Sequence, residues 1–177
     1  MPSYKLIYFN MRGGGEVVRF VFAQTGVKYE DFRVAADTNG DQWREMKPST
    51  PFGVLPVLEI DGKQLGGSKV IARYLAEQFG LAGENTFEIA NIADAVQALN
   101  DEMIKVWFEK DEARKAEMLK KLEEEIIPGK LPFFERRAST NESGWLARKL
   151  TWADFFYLSL EWVLKMTNEK VLNDSLG

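Results

Sequence analysis

The chain has 177 residues, enough for one ordinary domain or two small ones with a real core, and its 45% hydrophobic and 28% charged content excludes a disordered or membrane-embedded class. Its net charge of −4 offers no attraction for nucleic acid or an anionic membrane. Cysteine and histidine are both absent, which removes disulfides, thiolate nucleophiles, Cys/His zinc sites and imidazole bases, so no metal is expected.

The opening Met1-Pro2-Ser3-Tyr4-Lys5 lacks a basic-then-apolar leader, and no apolar run reaches the roughly 20 residues of a membrane span. A cytoplasmic protein is expected. A protein of this composition that worked on thiols would have to take its thiol from a ligand.

Lys5-Leu6-Ile7-Tyr8-Phe9 is a nearly continuous apolar run, the pattern of a strand covered on both faces. From Glu16 to Gln24, Val17, Val18, Val21 and Phe22 fall at helical spacing, and Gly26 suits the stop. Val27 to Val34 alternates as a second strand, so a right-handed crossover and parallel pairing follow. Asp37 to Lys47 reads as a polar loop and a short helix.

Val54 to Ile60 is predicted as a strand, Asp61-Gly62 as a hairpin turn and Lys63-Gln64-Leu65 as its partner. Ser68 is expected to cap a helix over Lys69 to Gln78. The first half thus reads as βαβ followed by ββα. Beyond the connector Gly80 to Asn85 the character changes. Ile89, Ile92, Val96, Leu99, Met103, Val106 and Trp107 trace one face of a long helix. Ala113 to Ile127 is predicted as a charged helix with Ala116, Leu119, Leu122 and Ile126 as its buried stripe and its Lys/Glu pairs in solvent. Thr151-Trp152-Ala153-Asp154 opens a further, strongly apolar helix.

Three motifs point toward ligands and fail on spacing. Gly13-Gly14-Gly15 is followed by Glu16 rather than Lys-Ser/Thr, and Val18 stands where a dinucleotide fingerprint needs glycine. It reads as a strand-to-helix turn. Asp37-Thr38-Asn39-Gly40-Asp41 has its glycine at the fourth position and Pro48 at the twelfth, unlike a calcium loop. Asn141-Glu142-Ser143 fits a glycosylation sequon without a secretory leader. Tyr8 reads either as a core tyrosine or as a phenol aimed at a ligand. Leu55-Pro56 sits where a strand begins, and proline's missing amide leaves the preceding backbone available to a ligand.

Taken together, "YKLIYFNMRG", "PFGVLPVLEIDG", "SKVIARYLAEQFGLAG" and "LTWADF" resemble a cytosolic glutathione S-transferase, with most similarity to the sigma class that includes haematopoietic prostaglandin D synthase and the cephalopod S-crystallins. The resemblance covers nearly the whole chain. It implies a thioredoxin-like domain over 1–79, a linker over 80–86 and an all-helical domain over 87–177, shortened at its C-terminus.

It also implies glutathione as co-substrate, a small hydrophobic electrophile as partner, and Tyr8 as the catalytic hydroxyl that donates to the glutathione sulfur. Lowering a thiol pKa of about 8.5 by ~2 units needs ~2.7 kcal/mol, close to one charge-assisted hydrogen bond of about 1.5–3 kcal/mol. By the same resemblance Trp43 and Lys47 meet the glycine end of glutathione. Leu55, before a cis-proline at Pro56 and flanked by Gly53 and Val54, pairs with the cysteinyl backbone. Gly67 and Ser68 hold the γ-glutamyl group, and Asp101 reaches it from the partner subunit of a homodimer. Phe9, Met11, Met103, Phe108 and Phe156 would line the electrophile pocket.

Thr151 and Asp154 match the family's capping box. Gly14 stands where the family carries an arginine, Gly67 where it carries Gln and Val54 where it carries Lys or Gln. The resemblance therefore carries three functional readings: general conjugation, prostaglandin isomerisation, and a catalytically weakened structural or ligand-binding protein of the S-crystallin kind.

Overall fold

The computed structural model describes residues 2–35 and 40–167, with side chains as far as Leu160. The expected start of the polar loop at Asp37 and the C-terminal tail lie outside these residues. The chain forms two compact units, Met1–Ala82 and Gly83–Gly177.

In the first unit, β1 (Tyr4–Phe9) lies between β2 (Glu30–Val34) and β3 (Val57–Ile60), with β4 (Lys63–Gly66) on the outer edge of β3. β1 pairs parallel to β2 and antiparallel to β3. The parallel pair is connected through α1 (Glu16–Thr25), whose last turn is closed by Gly26 at φ 66°. β3 is shorter than the Val54–Ile60 expectation because Pro56 has no amide to give a ladder. The hairpin after it turns through Asp61 at φ 48° and Gly62 at φ 81°, the left-handed pair that an Asp-Gly type I′ turn requires.

Side-chain alternation divides the sheet. Leu6 faces Leu58 across β1 and β3, and with Val17, Val18, Val21, Ile71 and Leu75 it is fully buried where α1 and α3 (Ser68–Phe79) cover the sheet. Ile7, Val34 and Val57 point to the opposite face and pack with Phe9, Phe32, Trp43, Met46 and Leu55. Because alternation has a period of two, Tyr8 shares the helix-covered face with Leu6, while Phe9 goes with Ile7. This parity places the phenol beside the start of α1.

The second unit is all-helical: α4 (Thr86–Phe108), α5 (Glu112–Lys121), α6 (Ile127–Thr140) and α7 (Trp152–Thr167). Asn85 caps α4 by accepting from the Glu88 amide at 3.1 Å. The expected α4 stripe is buried through Val106, but Trp107 is 43% exposed because it lies on the last turn, where cover runs out. The single helix expected over Ala113–Ile127 is interrupted by a π turn at Leu122–Ile126. Of its predicted stripe only Leu122 is buried; Leu119 and Ile126 are half-buried and Ala116 is exposed, since α5 buries none of its residues completely.

The sequence reading names no element over α6, a segment that carries Pro128, Gly129 and Pro132. Pro128 is the second residue of α6, just after the π turn, and Pro132 is carried inside the helix. Asp154 is buried and accepts from the amides of Leu146 and Thr151, both at 2.8 Å, and from the Thr151 hydroxyl at 2.9 Å. No helix among the described residues is long and apolar enough to cross a membrane.

Candidate active site

The site begins where β1 ends. Tyr8 is half-buried, and its oxygen accepts a hydrogen bond from the Gly14 amide at 3.0 Å. The three glycines form a 3₁₀ turn that wraps the phenol. Gly13 takes φ 84°, a conformation open to glycine, and a Cβ there would stand 3.0 Å from the Tyr8 oxygen. A Cβ on Gly15 would stand 2.6 Å from ring carbons of Tyr8, so any side chain there moves the ring. A Cβ on Gly14 would lie 3.5 Å from the Tyr8 oxygen, 3.6 Å from Pro56 Cδ and 3.7 Å from Ser68 Oγ. Tyr8, Pro56 and Ser68 therefore converge on one point, although they come from three separate segments.

The Leu55-Pro56 bond is cis, and the Pro56 carbonyl accepts from the Gly67 amide at 3.0 Å. Ser68 does not cap α3 as expected. It is the first residue of the helix, and Gly67 occupies the cap at φ 93°, ψ 125°. The Gly67 carbonyl already accepts from the Ile71 amide at 2.9 Å, so the helix starts one residue early. No side-chain bond caps this end.

Phe9 connects the phenol to α2 (Asp41–Met46): its ring lies 5.7 Å from that of Tyr8 and 5.8 Å from that of Trp43, both edge-on. Lys47 follows α2 and is exposed; its aliphatic stem passes Gly53, whose Cβ position would be 3.2 Å from Lys47 Cε. Among the described residues its ammonium has no ion pair. Val54 is 46% exposed and Leu55 is half-buried in the apolar cluster.

The remaining expected residues belong to both units. Met11 is 44% exposed on the glycine loop. In the helical unit Met103 and Phe156 are buried core residues, and Phe108 is 78% exposed at the end of α4. Asp101 is exposed on α4 and accepts from Gln97 at 2.6 Å. A cavity of about 600 Å³ in the same unit is lined by Arg137, Arg148 and Lys149 together with Glu84 and Glu88. Arg137 pairs with Glu88 at 2.8 Å and Lys149 with Glu84, so two of its cations are already matched.

Burial pushes the Tyr8 phenol above its ordinary value of 10, outweighing the Gly14 amide and the Arg19 charge, which pull it down. At neutral pH the group is thus a protonated hydroxyl. Its oxygen is held by the loop amide, and its proton is left to donate.

Arg19, on α1, was missed by sequence reading, which assigned that helix through its apolar residues. It is only 7% exposed and lies 5.8 Å from the Tyr8 ring centroid. The available signal was Glu16 three residues earlier on the same helix face, the spacing of an ion pair.

Comparison with known proteins shows the family of the chain. Residues 14–85 match the glutathione S-transferase N-terminal domain and residues 97–176 its C-terminal domain. The chain is 39% identical over 162 residues to hematopoietic prostaglandin D synthase of Gallus gallus, covering 89% of this chain and 77% of the other. It is 39% identical over 161 residues to glutathione S-transferase 1 of Ascaris suum, covering 87% and 76%. The solved prostaglandin synthase D of Nilaparvata lugens superposes with a TM-score of 0.84 at 32% identity, covering 97% of this chain and 92% of that one. The chain belongs to the glutathione S-transferase family. Its fold is accordingly the thioredoxin-like unit followed by the helical one.

Proposed function

We propose that this protein is a glutathione transferase that joins the glutathione sulfur to small hydrophobic electrophiles, with the Tyr8 hydroxyl stabilising the thiolate. The observation that carries this reading is the Gly14 amide on the Tyr8 oxygen, which fills an acceptor position and leaves the O–H proton to donate. The thiol proton passes to solvent, the thiolate sulfur forms the new bond to an electrophilic carbon, and the leaving group departs with the electron pair. No nucleophile from the chain is needed, in keeping with a sequence that has no cysteine.

In this reading Ser68 and the Gly67 backbone take the γ-glutamyl end. The backbone of Leu55 pairs with the cysteinyl unit, with Gly53 and Val54 beside it. Trp43 and Lys47 take the glycine end, the ammonium facing its carboxylate. Asp101 serves the site of a partner subunit in a cytoplasmic homodimer. Phe9 and Met11 contribute apolar lining beside Tyr8.

A second reading is favoured by the names of several relatives, which are prostaglandin D synthases. There the thiolate attacks one peroxide oxygen of a prostaglandin endoperoxide and the O–O bond breaks, the other oxygen leaving as an alkoxide that is protonated. Loss of the proton on the carbon that bears the sulfur-bonded oxygen then forms the carbonyl, breaks the S–O bond and returns the glutathione thiolate. Purified protein is tested for retention on immobilised glutathione and for conjugation of an aryl halide. Retention with steady consumption of glutathione supports the transferase. Isomerisation of an endoperoxide with glutathione undiminished supports the second reading. Retention without either turnover favours a binding protein of the S-crystallin kind, and failure to bind sinks both catalytic readings.

A further inference from the structure

Three consecutive glycines supply no side chain that could fix a loop, and each leaves the backbone unusually free. Yet this loop must hold one amide on one phenolic oxygen. The restraint comes from beneath it. Arg19 Nη1 donates to the Met11 carbonyl at 3.0 Å and to Glu16 at 2.9 Å. Its Nε donates to Asp31 at 3.1 Å, and Nη2 reaches the other oxygen of the same carboxylate at 3.3 Å. One planar guanidinium therefore connects α1, β2 and the chain entering the glycine turn, a geometry that the point charge of lysine cannot reproduce.

Burying such a cluster is weak support for folding, because apolar replacements of similar size are often as stable. Its placement against Tyr8 supplies a different reason for it. The charged groups around Arg19 are Arg12 and Glu16 from the loop and α1, and Asp31 and Arg33 from β2, with the Tyr8 and Tyr29 phenols nearby.

We propose that Arg19 is a positioning residue for thiol activation: anchored by Glu16 and Asp31, it ties down the Met11 carbonyl and so keeps the Gly14 amide on the Tyr8 oxygen. This inference rests on the assignment of Tyr8 to the thiol. When Arg19 is lost, the glycine turn samples other conformations, and the phenol no longer presents its proton in one direction.

The test is a pH titration of the bound glutathione thiol, followed by its thiolate absorbance, in wild type, Tyr8→Phe, Arg19→Met and Arg19→Lys. Arg19→Met is expected to raise the midpoint by about 0.5–1 pH unit, with kcat/KM near neutral pH reduced about three- to tenfold and the KM for glutathione within about twofold. Arg19→Lys keeps the charge and loses the fork, so its midpoint should fall between the two. If Arg19→Met yields no folded protein, Arg19→Lys decides: a raised midpoint supports the proposal.

A purely structural role predicts a lower melting temperature with the midpoint unmoved, and that result overturns the proposal. Full recovery by Arg19→Lys overturns positioning in favour of plain charge. Should Tyr8→Phe itself leave the midpoint where it was, the assignment of Tyr8 fails first; a shift in Tyr8→Phe alone leaves Tyr8 standing and removes Arg19.

Discussion

Replacing Tyr8 with phenylalanine deletes one oxygen, and the structure separates what that oxygen does for the fold from what it does for the reaction. Toward the fold it accepts from the Gly14 amide at 3.0 Å. That amide lies on a half-buried turn that water can reach, so stability should change by no more than about 1 kcal/mol. Toward the reaction it donates to an anionic sulfur, a bond of about 1.5–3 kcal/mol that exists only once the thiolate does. The expected loss in kcat/KM is therefore roughly ten- to 150-fold, with the acid limb of the profile moved up by about 1–2 pH units. Because burial holds the phenol above its ordinary value, Tyr8 stays protonated through the assay range and the limb reports the thiol. The measurement is aryl halide conjugation across pH for both proteins, beside thermal melts. A mutant within about twofold of wild type, with its acid limb unmoved, would show that the phenol is merely a core tyrosine.

Asp154→Ala should destabilise by about 3 kcal/mol or more, since it strands two buried backbone amides and a hydroxyl. A drop of roughly 6–12 °C in melting temperature is expected, and a melt unchanged within error would refute the capping role. Gly15→Leu should drive the Tyr8 ring out of place, because even a Cβ there meets ring carbons at 2.6 Å; a loss of conjugation larger than the loss of stability is expected, and normal activity would contradict the packing. Tyr8, Tyr4 and Tyr29 all have phenols raised by burial. Their contribution to stability is complete below the unfolded value near 10 and is lost as pH rises through the higher folded values. Denaturant melts in the alkaline range should therefore weaken with pH, and less steeply in Tyr8→Phe.

The legibility of this protein in its sequence depended on how local the cause was. Apolar periodicity placed α1 and α4 because each buries one continuous stripe, and Asp61-Gly62 announced its turn because only certain residues tolerate two positive φ values. No periodic stripe announced α6, and its Pro128 and Pro132 disfavour helix by propensity, yet the helix carries both. Ser68 was assigned as a cap on residue type alone, and the geometry of Gly67 moved the helix start by one residue. Met103 shows the reverse limit. Its helical spacing fits core and pocket lining equally, and it is buried.

The glycine run shows why a site can be hidden in residues that carry no chemistry. Sequence comparison by side chain registers Gly14 as a missing cation, a loss beside Tyr8. The structure finds a donor at the same place, because the Gly14 amide reaches the oxygen directly, and a backbone amide is present whatever residue stands there. It also finds a cation near the ring, contributed by Arg19 from the following helix. Charge and hydrogen bonding at Tyr8 are therefore divided between two residues five positions apart, neither of which stands out alone. The same division explains the glycines. A loop that must bring its own backbone against a ring leaves no room for side chains at Gly15 and needs a positive φ at Gly13. The freedom this confers has to be removed from outside the loop, and the Met11 carbonyl bonded to a buried guanidinium is the contact that does so.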